Sequence, residues 1–137
     1  MDLVERFRQH LATLPIPGGT ALVAVSGGSD SVALLDLLLR TAESHRLDLV
    51  VVHYDHGIHP DSAVVAEGVR EMAEARGIPF HGGRGELGPG TSETTARHAR
   101  YAFLEDVRER LGAGSILLAH HADDQAETIL MRVLAGS

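Results

Sequence analysis

Apolar residues recur along this chain in two rhythms, and the switches between them mark an alternating series of helices and strands. Leu3, Val4, Phe7, Leu11 and Leu14 follow helical spacing, which predicts an amphipathic helix from Asp2 to Leu14, closed by Pro15 and Pro17. Thr20 to Val25 reads as a first strand, and Asp30 to Ser44 as a helix apolar on most faces and therefore largely buried. Leu47 to Val52 is the second strand, Ser62 to Arg76 a helix ended by Gly77, and Ile78 to Phe80 a short third strand. Ser92 to Leu111 predicts a long helix with Ala96, Ala99, Phe103, Val107 and Leu111 on one stripe. Ser115 to Ala119 is a fourth strand, followed by a last helix from about Ala122. Near-continuous apolar strands separated by helices predict an α/β, doubly wound, mostly parallel sheet with helices on both faces.

Composition narrows the class. At 137 residues, 44% hydrophobic and 23% charged, the chain has the make-up of a single soluble globular domain with a real core. The longest apolar stretches are too short to span a bilayer and the amino terminus has no basic-then-apolar signal pattern, so no membrane and a cytoplasmic location are expected. Zero cysteines exclude disulfides, thiolate zinc sites and cysteine nucleophiles within these residues. A formal charge of −7 is awkward for a nucleic-acid enzyme, because such affinity comes mostly from neutralising phosphates. A nucleic-acid partner must be held elsewhere or by local patches. Arg97 to Arg110 carries four arginines but also Glu105, Asp106 and Glu109, and reads as a solvated helix with i,i+3 and i,i+4 pairs. Gly82 to Thr91, with five glycines and Pro89, is expected to hold no regular structure. It is either a mobile loop that closes over substrate or a plain connector.

The densest chemical signal is Ser26-Gly27-Gly28-Ser29-Asp30-Ser31, placed between the first strand and the second helix. Two adjacent glycines let the backbone bend tightly against an anion, and Ser29 is a good N-cap for a helix whose positive end faces the same anion. The loop lacks the Gly-Lys-Ser/Thr ending of a Walker A motif, and the chain contains no lysine. Asp30 beside phosphates therefore reads as a ligand for Mg2+. The plain alternative is a Gly-Ser turn joining strand to helix.

Two further strand ends are chemically rich: His53-Tyr54-Asp55-His56-Gly57 and His120-His121-Ala122-Asp123-Asp124. Ligands of open α/β sheets bind outside the carboxyl ends of the strands, and right-handed crossovers put those ends on one edge. The three segments are thus expected to converge on one rim. Asp124 and Glu127 are three apart and share a helix face, so they can receive an ammonium group or a second Mg2+; capping of the helix dipole is the other reading. His53, Asp55, His56, His59 and Asp61, with His120, His121 and the aspartates, leave a metal-dependent phosphoesterase open, although neither an HD nor a DHH motif is spelled out. His10, His45 and His81 read as surface residues.

Ser-Gly-Gly-x-Asp-Ser closely resembles the PP-loop of the ATP pyrophosphatase superfamily. Four segments in order sharpen that resemblance: Ser26-Gly-Gly-Ser-Asp-Ser31, His53-x-Asp-His-Gly57, Ala96-Arg-His-Ala-Arg-Tyr-Ala-Phe-Leu104 and Ala119-His-His-Ala-Asp-Asp-Gln-Ala-Glu-Thr-Ile-Leu-Met-Arg132. Together they resemble the amino-terminal domain of the tRNA(Ile)-lysidine synthases. The resemblance implies ATP-dependent adenylation of the C2 carbonyl oxygen of the wobble cytidine in a tRNA(Ile) with a CAU anticodon. Displacement of AMP by the ε-amine of free L-lysine then forms a carbon–nitrogen bond and yields lysidine. It further implies that Ser26 to Ser31 bind the ATP phosphates, that Asp30 helps hold Mg2+, and that backbone around Val52 and His53 meets adenine. Arg100 is implied to face ATP or tRNA phosphates, Asp124 and Glu127 to receive lysine or a metal, and His121 to border the nucleotide.

Where that family continues with Arg-Gly-Ser-Gly, this chain reads Ala135-Gly136-Ser137. The expectation is an amino-terminal catalytic fragment without the carboxyl-terminal domains that hold tRNA, binding ATP weakly and forming little lysidine alone. Rival readings are another PP-loop adenylating enzyme and a non-catalytic nucleotide-binding module. The 2-thiolating relatives use cysteines absent here, and a binding module needs the cradle but neither Asp124 nor Glu127.

Overall fold

Asp2 opens the first helix by accepting a hydrogen bond from the Glu5 N–H at 2.8 Å, and Phe7 and Leu11 carry its buried stripe. The computed structural model describes residues 2–85, 87, 88, 90–120 and 130–135. Helix α1 (Leu3–Ala12) is followed by strand β1 (Gly19–Ala24), helix α2 (Ser29–Arg40) and a 3-10 turn at Ala42–Ser44. Strand β2 (Leu47–Asp55), helix α3 (Ser62–Ala75), strand β3 (Phe80–Arg84), helix α4 (Glu93–Leu111) and strands β4 (Ser115–His120) and β5 (Leu130–Ala135) complete the order.

The sheet runs β3-β2-β1-β4-β5, parallel from β3 to β4, with β5 antiparallel at the edge. Side-chain alternation along the strands splits the core in two. Ala21, Val23, Val51 and Leu117 face α1, α2 and α3, while Leu22, Val50, Val52, Ile116 and Leu118 face Leu104 and Val107 of α4. Helices on both faces are what the apolar strands predicted. Chain order moves outward from β1 to β3, then returns through α4 to β4 on the other side of β1. The β1/β4 boundary is therefore the switch point at which such sheets open a crevice. Among the described residues, no helix is long and apolar enough to cross a membrane.

Several boundaries differ from the sequence reading. β2 runs three residues past Val52, and the third strand is Phe80–Arg84 rather than Ile78 to Phe80, because the register pairs Val51 with Phe80 and Asp55 with Arg84. The glycines read as loop form this strand where Phe103 of α4 packs over Gly83 so closely that a Cβ there would collide with the edge of its ring. Beyond the strand, the Gly85 and Leu87 N–H groups donate to Asp55 and His56 carbonyls, so the near end of the loop is tied to β2. The helix expected from about Ala122 does not include residues 130–135, which form β5. Pairing there satisfies the outer backbone groups of β4, and a short apolar run suits helix and strand alike. His45 is half-buried, bonded to Leu38 O through Nε2 (2.9 Å) and accepting the Leu47 N–H at Nδ1, and His10 and His81 are half-buried too.

Candidate functional site

The carboxyl ends of β1, β2 and β4 open into a cleft of about 850 Å³. Its floor is the end of the sheet, with Leu118 and Ala119 from β4. One side is the loop into α2, another the start of α3, and the flank facing the second core is α4, which contributes Arg97, Arg100 and Tyr101.

The loop is shaped by its own hydroxyls. Ser31 Oγ donates to Gly28 O (3.0 Å) and accepts the Ser26 N–H (3.1 Å), while Ser26 Oγ accepts the Gly28 N–H (3.3 Å). Gly27 has φ +97, and a Cβ there would meet Val65 Cγ1 at 2.6 Å, so the turn needs glycine on both counts. Ser29 is not the cap of α2. Gly28 occupies that position and offers no side chain, because helical geometry already begins at Ser29. The first-turn N–H groups of a helix have no intrahelical acceptor. Among the described residues the N-cap Gly28 supplies no side-chain hydrogen bond there, and the positive end of α2 borders the cleft.

The predicted site residues within the described chain fall on this one cleft: residues 26 and 28–31, with Val52, His53 and Arg100. Gly27 serves the turn rather than the wall. His121, Asp124 and Glu127 lie outside the described residues.

The Arg100 guanidinium lies near Tyr101, with Cζ 5.3 Å from the ring centroid, and among the described residues its buried Nε has no hydrogen-bond partner. A buried donor in that state is stabilised when an acceptor arrives. The carboxyl-terminal arginines of α4 instead pair as the sequence predicted, Arg108 with Glu105 (2.6 Å) and Arg110 with Asp106 (3.0 Å). Arg97 was missed, although its i,i+3 spacing from Arg100 already put both on one face.

Asp55 also lines the cleft, with its side chain 5% exposed. Burial pushes its carboxyl up, but the Ser62 hydroxyl, the Gly57 N–H (2.9 Å) and the nearby Arg84 and His53 outweigh burial and leave it below the usual carboxylate range. It joins the end of β2 to the first residue of α3. Although His53, Asp55, His56, His59 and Asp61 share one wall, no group of three or more His, Asp or Glu side chains among the described residues is arranged to hold a metal ion.

A family model described as a PP-loop domain matches residues 3–137. The chain belongs to the PP-loop domain family. Among curated proteins it is 45% identical over 129 residues to the tRNA(Ile)-lysidine synthase of Geobacter sulfurreducens, covering 88% of this chain and 27% of that protein. It is 43% identical to the tRNA(Ile)-lysidine synthase of Novosphingobium aromaticivorans (97% of this chain, 40% of that protein) and 43% identical to that of Thermus thermophilus (98% and 27%). The chain thus spans from about a quarter to two fifths of these relatives' lengths. Among solved structures, the U34-tRNA thiolase NcsA from Methanococcus maripaludis with its [4Fe-4S] cluster matches with a TM-score of 0.65 at 15% identity, over 83% of this chain and 44% of that one. That likeness is one of fold. The glycine turn at residues 26–31 lies at the β1/β4 switch point, and the match agrees with the α/β class read from the sequence.

Proposed function

We propose that this chain is the ATP-binding, adenylating part of a tRNA(Ile)-lysidine synthase. The observation that carries the reading is the PP-loop itself: a glycine turn leading into the start of a helix, on the wall of a cleft that Arg100 also lines. The relatives' names supply the substrate class.

In this reading the C2 carbonyl oxygen of the wobble cytidine attacks the α-phosphorus of ATP, and the bond to pyrophosphate breaks. The ε-amine of lysine then attacks C2, the C2–O bond breaks, AMP leaves and the amine loses a proton. The first-turn N–H groups of α2 hold the leaving phosphate oxygens, and the Arg100 fork takes a further phosphate oxygen as a charge-assisted donor. Asp30, in the first turn of α2 and on the cleft wall, fits Mg2+ as a hard carboxylate ligand. Bound Mg2+ supplies charge neutralisation at the phosphates. Backbone around Val52 and His53 borders the adenine, and His121, Asp124 and Glu127 are assigned to the nucleotide and to lysine or metal. The partners are tRNA(Ile) with a CAU anticodon and free lysine.

The test is pyrophosphate release by the full-length protein. Repeated turnover that requires both lysine and tRNA(Ile), and that Asp30→Ala and Glu127→Ala each abolish, supports the reading. Repeated turnover without lysine, or phosphate release from a diester, points to a different enzyme, whereas a single burst of pyrophosphate without lysine is the adenylation step itself.

A further inference from the structure

The β1–β2 ladder ends at Ala24 and Val52, yet the PP-loop that follows must present its backbone in a fixed orientation. The Val25 N–H still reaches Val52 O (3.0 Å), which leaves the next peptide unit, Val25–Ser26, as the first one outside the sheet. Both of its polar atoms are taken by side chains. Its carbonyl, Val25 O, accepts from His53 Nδ1 at 2.7 Å, and its N–H, on Ser26, donates to Ser31 Oγ at 3.1 Å. A carbonyl oxygen only accepts, so Nδ1 carries the proton. His53 is 6% exposed and Ser31 6% exposed, so neither bond is readily replaced by water.

We infer that His53 is a positioning residue of the PP-loop, acting through Nδ1 on Val25 O and not as a ligand for the nucleotide, an inference that rests on the nucleotide-site reading above. The imidazole stands where a continued parallel ladder would supply another backbone N–H. It holds one end of the Val25–Ser26 peptide while Ser31 holds the other, and the plane of that peptide sets where Gly27 and Gly28 begin. Residues whose rotamers are locked by packing and hydrogen bonds are what keep a phosphate cradle in its productive geometry. Two residues along β2, Asp55 pairs with Arg84 of β3.

The two ring nitrogens allow a sharp test. Asn at position 53 places an amide N–H near the place of Nδ1, whereas Gln places one near Nε2. In the full chain, amide hydrogen exchange without nucleotide reads the loop, and a Mg-ATP titration reads the site. His53→Ala is expected to raise exchange at the Ser26 and Gly28 amides about two- to tenfold, the range for one lost hydrogen bond, and to weaken Mg-ATP comparably. His53→Asn restores both, and His53→Gln restores neither. Should the alanine variant fail to fold, the Asn and Gln pair still decides. Rescue by Gln and not Asn, or unchanged Ser26 exchange in the variants that lack the Nδ1 donor, overturns the inference. A wild-type chain that binds no Mg-ATP would overturn the proposed function, while Ser26 exchange would still read the tie to Val25.

Discussion

Replacing Gly27 by alanine tests the shape of the PP-loop in a way the structure prices in two separable parts. The first is backbone: φ is +97, and holding an L-residue in so sparsely populated a region costs about 1–3 kcal/mol. The second is steric: the new Cβ would lie 2.6 Å from Val65 Cγ1, so Val65 must rotate or α3 must shift. Val65 is 43% exposed and has room to leave its rotamer at a cost of about 1 kcal/mol. Gly27→Ala should therefore lose about 2–4 kcal/mol. The double variant Gly27→Ala/Val65→Ala should recover only the steric part, about 1 kcal/mol. Gly77 is the control: its φ is +70 with no neighbour near the Cβ position, so Gly77→Ala should cost only the backbone part, about 1–2 kcal/mol. Urea unfolding followed by circular dichroism measures all four chains, provided the m-values agree. A Gly27→Ala chain within about 0.5 kcal/mol of wild type, or no relief from Val65→Ala, would refute this account of the turn.

Other expectations follow from single residues. Arg100→Ala should weaken Mg-ATP or pyrophosphate binding about tenfold or more, the worth of a hydrogen bond to a charged group, with little change in the unfolding midpoint; Arg100→Lys should restore it only in part, because an ammonium lacks the planar fork. Asp55 titrates below its unfolded value, so the folded state holds its proton more weakly. The stability it contributes is present above the unfolded carboxylate pKa of about 3.9 and is lost as pH falls through the depressed folded value. Asp55→Asn should flatten that acid limb in urea midpoints taken from pH 6 downward, and an unchanged slope would contradict the assignment. Leu34 is fully buried between α2 and the sheet, and Leu34→Ala should cost about 2–5 kcal/mol in the same assay.

Local chemistry was legible where one residue type settles a backbone state. The stripe of α1, the apolar run of β1 and the glycine pair after it predicted helix, strand and turn at nearly the observed places. The failures share a cause, which is that a distant partner decided the outcome. Gly82 and Gly83 look like loop until Phe103 arrives from α4 to cover them. Ser29 has the chemistry of a cap, yet the turn hands the structural bonds to Ser26 and Ser31. Nothing in the local sequence says that His53 reaches a carbonyl 28 residues earlier, since that contact exists only once β1 and β2 pair in register. For the same reason the convergence of residues 26–31 with His53 to His56 was an argument about topology, since strands paired in parallel bring their carboxyl ends to one edge; the third segment, 120–124, falls outside the described residues beyond His120.

The account turns on nucleotide occupying the cleft at that edge. Hydrogen exchange of the chain with and without Mg-ATP tests this most directly. Protection concentrated at the amides of residues 26–31, with a second patch at Val52 and His53, is the predicted result. Protection confined to other surfaces, such as the groove lined by Leu14 and Arg46 between α1 and the start of β2, would contradict it.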